Sequence, residues 1–314
     1  MINLINQIGV TALNCKVSTK QKQNFVSKPD TVSFTSKNLL VKKSSEISKE
    51  ILSAIEKKKN FMGEGSEGAV YRIGNSGYCV KILRKNKEKP LGYWNLNISP
   101  KDRVNHIVAK DEYDNIIMRT VKGVPLSELD YRRSKLDSLP KESYRKVLKQ
   151  INDAHKLSME YDGYPANIIY NPKDKTLTSI DFFKAQDIDE YTPFASLYRT
   201  LRCNPIIPGD KYDKKLAGNF LNIALDEVEK GKNADIPVEY EDMTELFRNI
   251  ECSTSQRVHY SEVFPPQYDY LKGSINNILN LKKLQNRGID VDKDIRGEVK
   301  YSRCIVNQIF GQSK

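Results

Sequence analysis

No stretch of this chain approaches the ~20 consecutive apolar residues that a helix needs to cross a bilayer. The most apolar segments, such as 220–225, are broken by polar residues at helical spacing. The opening MINLINQIGVTALNCK lacks a basic leader, a long apolar stretch and a small-residue cleavage site, so no Sec signal peptide is expected and the mature chain should begin near Met1. Paired cysteines are missing too. Cys15, Cys79, Cys203, Cys252 and Cys304 are far apart, odd in number and without a C-x-x-C pair, and only three histidines accompany them. That argues against a disulfide framework and a structural zinc site, and predicts free thiols in a reducing, cytoplasmic compartment. There is no internal repeat.

What is plentiful is positive charge, +11 in 314 residues. Its distribution decides its meaning. Residues 1–60 hold eleven lysines against four acids, which accounts for most of the excess, and the rest of the chain is only mildly basic. A basic tail poor in aromatics does not read as a specific nucleic-acid surface; contact with an anionic membrane is the better-founded alternative. Apolar residues make up 39% and charged residues 29%, an ordinary globular composition.

Residues 1–43, rich in Asn, Gln, Ser, Thr and Lys, bury too little to offset their ordering entropy and are expected to be a flexible leader. Between 44 and 59, Ile47, Ile51, Leu52 and Ile55 recur at helical intervals, predicting a short amphipathic helix ending in three lysines. The period then shortens. Residues 61–73 and 78–83 read as strands joined at Asn75-Ser76-Gly77, and 104–109 with 115–120 as a second hairpin around 110–114. From Pro140 the pattern is helical, with Tyr144, Val147, Leu148, Ile151 and Ala154 on one face. Another hairpin, 167–170 and 176–181, turns at Asn171-Pro172-Lys173-Asp174. Beyond Thr192 the chain reads as helix almost to its end, notably at 213–230 and 268–286. The fold class expected is α+β.

Four short patterns carry chemistry, and their order and spacing matter more than any one of them. GEGSEGAV places Gly63, Gly65 and Gly68 between predicted strands, where a backbone without Cβ atoms can lie close over phosphate oxygens. A dinucleotide fingerprint would need a helix and a later acidic residue instead. The bland alternative is a hairpin with a glycine-rich tip. YCVKIL follows, with Lys81 on a strand and placed to hold α/β-phosphates; an edge-strand lysine that blocks aggregation is its alternative. DGYPAN supplies Asp162 and Asn167 in a loop entering a strand, and SIDFF supplies Asp181 at the end of the next. Two carboxylates and an amide near one point suit a base for an acceptor hydroxyl and a magnesium site, although each residue alone would more often be a cap or an Asx-turn.

On these residues the segment from about 61 to 183 resembles the eukaryotic-type protein kinase core in reduced form, and is most similar to the minimal effector kinases that bacterial secretion systems inject, the OspG and NleH type. The resemblance implies a bilobal kinase-like fold: a small antiparallel-sheet lobe over 44–122, a reduced helical lobe over 123–205 and an α-helical extension over 206–314. It implies ATP and Mg²⁺ as cofactors and transfer of the γ-phosphoryl group to Ser or Thr of a protein, a host protein if the chain is delivered by a non-Sec route. Lys81 and Asp162 would be catalytic, and Asn167 and Asp181 would bind metal. Gly63, Gly65, Gly68 and Val70 would cover the nucleotide. The stretch DNIIMRTVKGVPL looks like the linker between lobes, with Met118, Arg119, Thr120 and Val121 along the adenine edge.

Departures from the family pattern are specific. The catalytic-loop His-Arg-Asp reads Glu160-Tyr161-Asp162, so no arginine awaits a phosphorylated activation loop. Tyr164 stands where a lysine is usual, Asp-Phe-Gly reads Asp181-Phe182-Phe183, and no Ala-Pro-Glu follows. Constitutive activity or activation by a bound partner is the expectation that remains. Glu88, the only acid between Lys81 and Asp102, is followed by Pro90 and Gly92, which oppose a long helix. Without an acidic partner for Lys81 the chain would be a nucleotide-binding pseudokinase. A small-molecule kinase of the aminoglycoside or choline type, and a non-enzymatic interaction protein, are the other readings.

Overall fold

The computed structural model describes residue 53 and residues 57–65, 68–83, 107–110, 115–129, 139–157, 159–184, 191–202, 210–254 and 265–311. The leader 1–43, nearly all of the helix expected over 44–59, and the stretch with Glu88, Pro90 and Gly92 lie outside them, as do residues 104–106 and 111–114. The fold is α+β, and the chain divides into two compact units, residues 1–121 and 122–314.

In residues 1–121 an antiparallel sheet runs in the order β1-β2-β3-β5-β4. Its strands are β1 (Phe61–Glu64), β2 (Gly68–Arg72), β3 (Tyr78–Leu83), β4 (Ile107–Lys110) and β5 (Ile116–Arg119). The expected strand 61–73 is thus two strands, with β1 folding back on β2 through the glycine-rich segment. Side chains alternate between the two faces, and both are covered at the centre: Ala69, Tyr71, Val80 and Ile117 are buried on one, Cys79, Lys81 and Ile116 on the other. Between β2 and β3 the chain reverses with Gly74 and Gly77 at φ +51° and +78°, a left-handed backbone natural to glycine. The Ser76 hydroxyl accepts from the Tyr78 N–H at 3.2 Å, holding that turn closed.

Cys79 is buried on β3, and burial pushes its thiol up to about 11. At pH 8 its thiolate is then on the order of one part in a thousand. Exposed Cys252 and Cys304 should therefore react with a thiol reagent in the native protein, while Cys79 reacts only after denaturant is added. Peptide mapping of the labelled chain checks this, and native labelling of Cys79 as fast as Cys304 would contradict it.

Residues 122–314 combine two small sheets with six helices among the described residues. One sheet has the order β6-β8-β9, from β6 (Val124–Pro125), β8 (Ile168–Asn171) and β9 (Thr176–Ser179); the other pairs β7 (Met159–Tyr161) with β10 (Phe182–Lys184). The helices are α1 (Lys141–His155), α2 (Pro193–Arg202), α3 (Asp210–Lys230), α4 (Tyr240–Thr254), α5 (Gln267–Asn286) and α6 (Asp292–Phe310). All five apolar positions expected on one face of α1 are buried, and that face packs on β7 and β9. Gly123, at φ +139°, admits β6 to its neighbour: a Cβ there would lie 2.3 Å from the Tyr170 carbonyl oxygen.

Helix α3 is the centre of the unit. Residues 216–225 are buried all round, including Asn219 and Asn222. The Phe220 ring meets Tyr144 of α1 and Phe194 and Tyr198 of α2 at 5.6–6.5 Å between centroids. A second cluster sets Tyr268 edge-on to Phe247 and Phe310. Such pairs add to the burial of their own area.

Candidate functional site

The candidate residues fall into two groups, one in each unit. In residues 1–121 the register pairs Gly63 with Val70, Val70 with Lys81 and Lys81 with Ile116. Residues directly opposite one another in an antiparallel sheet share a face, so Gly63, Val70 and Lys81 form one row across it. Met118, opposite Cys79, lies on the same face two positions along. Arg119 points to the other side and is exposed, and Val121 is half-buried beyond the strand.

Lys81 does not sit on an edge. Strand β3 is flanked by β2 and β5, and Lys81 is only 7% exposed. A buried ammonium is costly unless it is paired or hydrogen-bonded, so a solubilising role is excluded by its surroundings. The glycine-rich segment is closed by the Gly65 N–H, which donates to the Gly68 carbonyl at 2.9 Å and is therefore committed to the hairpin. Among the described residues, Cβ atoms built at Gly63 and Gly65 would meet nothing within 4 Å. The packing of the described residues does not demand glycine there. Open space over a glycine backbone is what a phosphate-covering loop requires.

In residues 122–314 a short ribbon assembles the second group. Tyr161 of β7 pairs with Phe182 of β10, so Asp162, just after β7, and Asp181, just before β10, leave the same end of one ladder. Asn167 closes a turn of 3₁₀ helix, and its carbonyl accepts the Ile180 N–H at 2.8 Å, next to Asp181. Its side-chain amide donates to the Asp162 carbonyl at 3.4 Å. The Tyr164 N–H also donates to that carbonyl, at 2.8 Å, and the Asn167 N–H donates to the Tyr164 carbonyl at 2.9 Å. Asp162, Asn167 and Asp181 are thus brought to one place by backbone bonds. Asp181 adopts φ +67°, a left-handed conformation that is uncommon for any residue with a Cβ. Outliers of this kind cluster at functional positions.

No group of three His, Cys, Asp or Glu able to hold a metal occurs among the described residues. Two carboxylates and one amide nevertheless fit Mg²⁺, which keeps several waters and takes phosphate oxygens rather than an all-protein cage. Tyr164, where the kinase resemblance places a lysine, is 68% exposed beside Asp162.

The loop has supports that sequence reasoning did not single out. The buried Thr200 hydroxyl of α2 lies 2.9 Å from both the Gly163 and the Ser196 carbonyl oxygens. Asp242 of α4, fully buried, accepts the Phe194 and Ala195 N–H groups at 3.0 and 2.9 Å. Burial pushes its carboxyl up to about 7, against those two bonds, which favour the ionised form. Pro193 after Thr192 is a legible helix start, and Gly163 beside Asp162 a legible close approach. Nothing local marks Asp242, which acts from another helix.

The chain matches no protein-family model and no curated protein.

Proposed function

We propose that this chain is an ATP- and Mg²⁺-dependent protein kinase of reduced, bilobal kinase-like fold that phosphorylates Ser or Thr. The observation that carries the reading is the convergence of Asp162, Asn167 and Asp181 at one end of the β7–β10 ribbon. The buried lysine on the central strand behind a glycine-rich hairpin supports it independently. In this reading residues 1–121 carry the nucleotide-binding part, with Gly63, Gly65, Gly68 and Val70 against the nucleotide, Lys81 on its phosphates and Met118, Arg119 and Val121 along its base. Residues 122–314 carry the rest. Asp162 orients the acceptor hydroxyl and takes its proton, while Asn167 and Asp181 hold Mg²⁺, which neutralises charge on the transferring phosphoryl group. Catalysis is then mainly positioning and electrostatics.

The test is transfer of label from γ-labelled ATP to generic protein substrates and to a eukaryotic lysate, with Lys81→Ala and Asp181→Ala variants alongside. Mg²⁺-dependent label lost in both variants is the expected result. Exposed Tyr164 in place of a lysine favours one second reading, a pseudokinase: ATP binding without transfer in any of these mixtures would establish it. Label appearing only on small molecules would move the chain to the aminoglycoside or choline kinase class. Delivery into a host cell and an activating partner are proposals that rest on the resemblance alone.

A further inference from the structure

Helix α2 joins the loop of Asp162 to a fixed point deep in the core. At its N-terminus, two of the backbone N–H groups that every helix leaves unsatisfied are taken by the two carboxylate oxygens of Asp242, which is 0% exposed. That does from another helix what a capping side chain does locally. Along its length, Phe194 and Tyr198 pack edge-on against Phe220 of the central helix α3. Near its end, Thr200, 2% exposed, reaches the Gly163 carbonyl.

A threonine in a helix commonly donates to the carbonyl four residues earlier, and Ser196 offers that acceptor at the same 2.9 Å. The hydroxyl has one proton for two acceptors. Gly163 shows that the loop contact is built: a Cβ at that position would lie 3.0 Å from the Thr200 oxygen, so any other residue would crowd the hydroxyl. Gly163 in turn sits inside the bond that the Tyr164 N–H makes to the Asp162 carbonyl. Moving its peptide therefore moves Asp162.

We propose that Thr200 is a positioning residue for phosphoryl transfer, and that α2, anchored at Asp242, is the strut through which it fixes the backbone of Asp162. The inference rests on the kinase reading for its catalytic consequence, and on geometry alone for the hold on the loop. A displacement well under an ångström at a general base is enough to cost rate without touching nucleotide affinity.

The experiment uses the full chain with Thr200→Val, which keeps the shape and removes the hydroxyl, and Thr200→Ser, which keeps the hydroxyl. Two readouts are taken: steady-state phosphoryl transfer, and amide hydrogen exchange at residues 163–167. Thr200→Val should lower kcat on the order of tenfold to a hundredfold with the KM for ATP unchanged, and should speed exchange at the Tyr164 and Asn167 amides on the order of tenfold. Thr200→Ser should restore both. Asp242→Asn, which turns a donor toward one of the two N–H groups, should speed exchange at Phe194 and Ala195 and at the loop together.

Wild-type kcat and exchange in Thr200→Val would overturn the proposal, as would a Thr200→Ser variant as impaired as Thr200→Val. Exchange in Asp242→Asn that rises at Phe194 but not in the loop would remove α2 as the strut. If the wild-type protein transfers no phosphate at all, the kinase reading fails, and the exchange data still decide whether Thr200 holds the loop.

Discussion

Glu227→Ala is expected to destabilise residues 122–314 by about 3–5 kcal/mol, chiefly from two amides left without an acceptor, at about 1–3 kcal/mol each. Glu227 lies on the central helix α3 with no exposed surface, yet every acceptor it offers is used. One carboxylate oxygen bonds Arg145 of α1 and, at 2.9 Å, Lys230; the other accepts the Asp235 and Ile236 N–H groups at 2.8 and 3.2 Å. It thus ties α1, α3 and the turn after α3 together. Truncation leaves two amides without their acceptor and takes from the Arg145 guanidinium one of its three carboxylate partners, Asp226 and Glu142 remaining, which is costly in a way that a missing surface pair is not. Helices α1–α6 all lie in this unit, so ellipticity at 222 nm reports mainly its unfolding. For about 190 residues the expected loss corresponds to a fall in melting temperature of roughly 10 °C. Glu229→Ala, two residues on and half exposed, serves as the control and should melt within about 2 °C of wild type. Equal melting of the two variants would show that the buried carboxylate contributes no more than a surface one.

Local pattern explains why the hairpins and α1 were legible in the sequence. Alternation over 68–72 and 78–83, the glycine-bearing turn between them, and the Asx-turn in which the Asn171 side chain accepts the Lys173 N–H are each decided within a few residues. The five apolar positions of α1 are decided within four turns. Strands β7 and β10 were not legible. Each is three residues long, too short for a period, and their pairing spans the whole β8–β9 hairpin. That pairing is what brings Asp162 to Asp181, so the candidate residues were readable as types and spacings while the ladder that assembles them was not. Helix α3 was legible as a helix at 213–230, and it runs over Asp210–Lys230; its burial on all sides, Asn219 and Asn222 included, was not, because a fully buried helix shows little amphipathic contrast. Glu227 and Asp242 had no signal, because a buried carboxylate is chosen by donors that arrive from other elements.

Asp181→Gly and Asp181→Asn are expected to separate the chemistry of Asp181 from its backbone, and to show the largest effect on activity. At φ +67° an aspartate occupies a conformation that glycine adopts without cost and asparagine tolerates as well as aspartate does. Asp181→Gly removes the carboxylate and the steric penalty together; Asp181→Asn keeps shape and backbone preference and removes only the charge. If the residue is a metal ligand on the transferring phosphate, both variants should lose phosphoryl transfer on the order of a thousandfold, a few kcal/mol of transition-state stabilisation. Stability should move the other way, with Asp181→Gly at least as stable as wild type in urea and Asp181→Asn unchanged. Strain retained at one carboxylate and relieved only at the expense of activity is the pattern of a functional residue. If Asp181→Gly were instead to lose stability while Asp181→Asn kept full transfer, the left-handed turn would be a fold-determining feature, and the metal role assigned to Asp181 would be wrong.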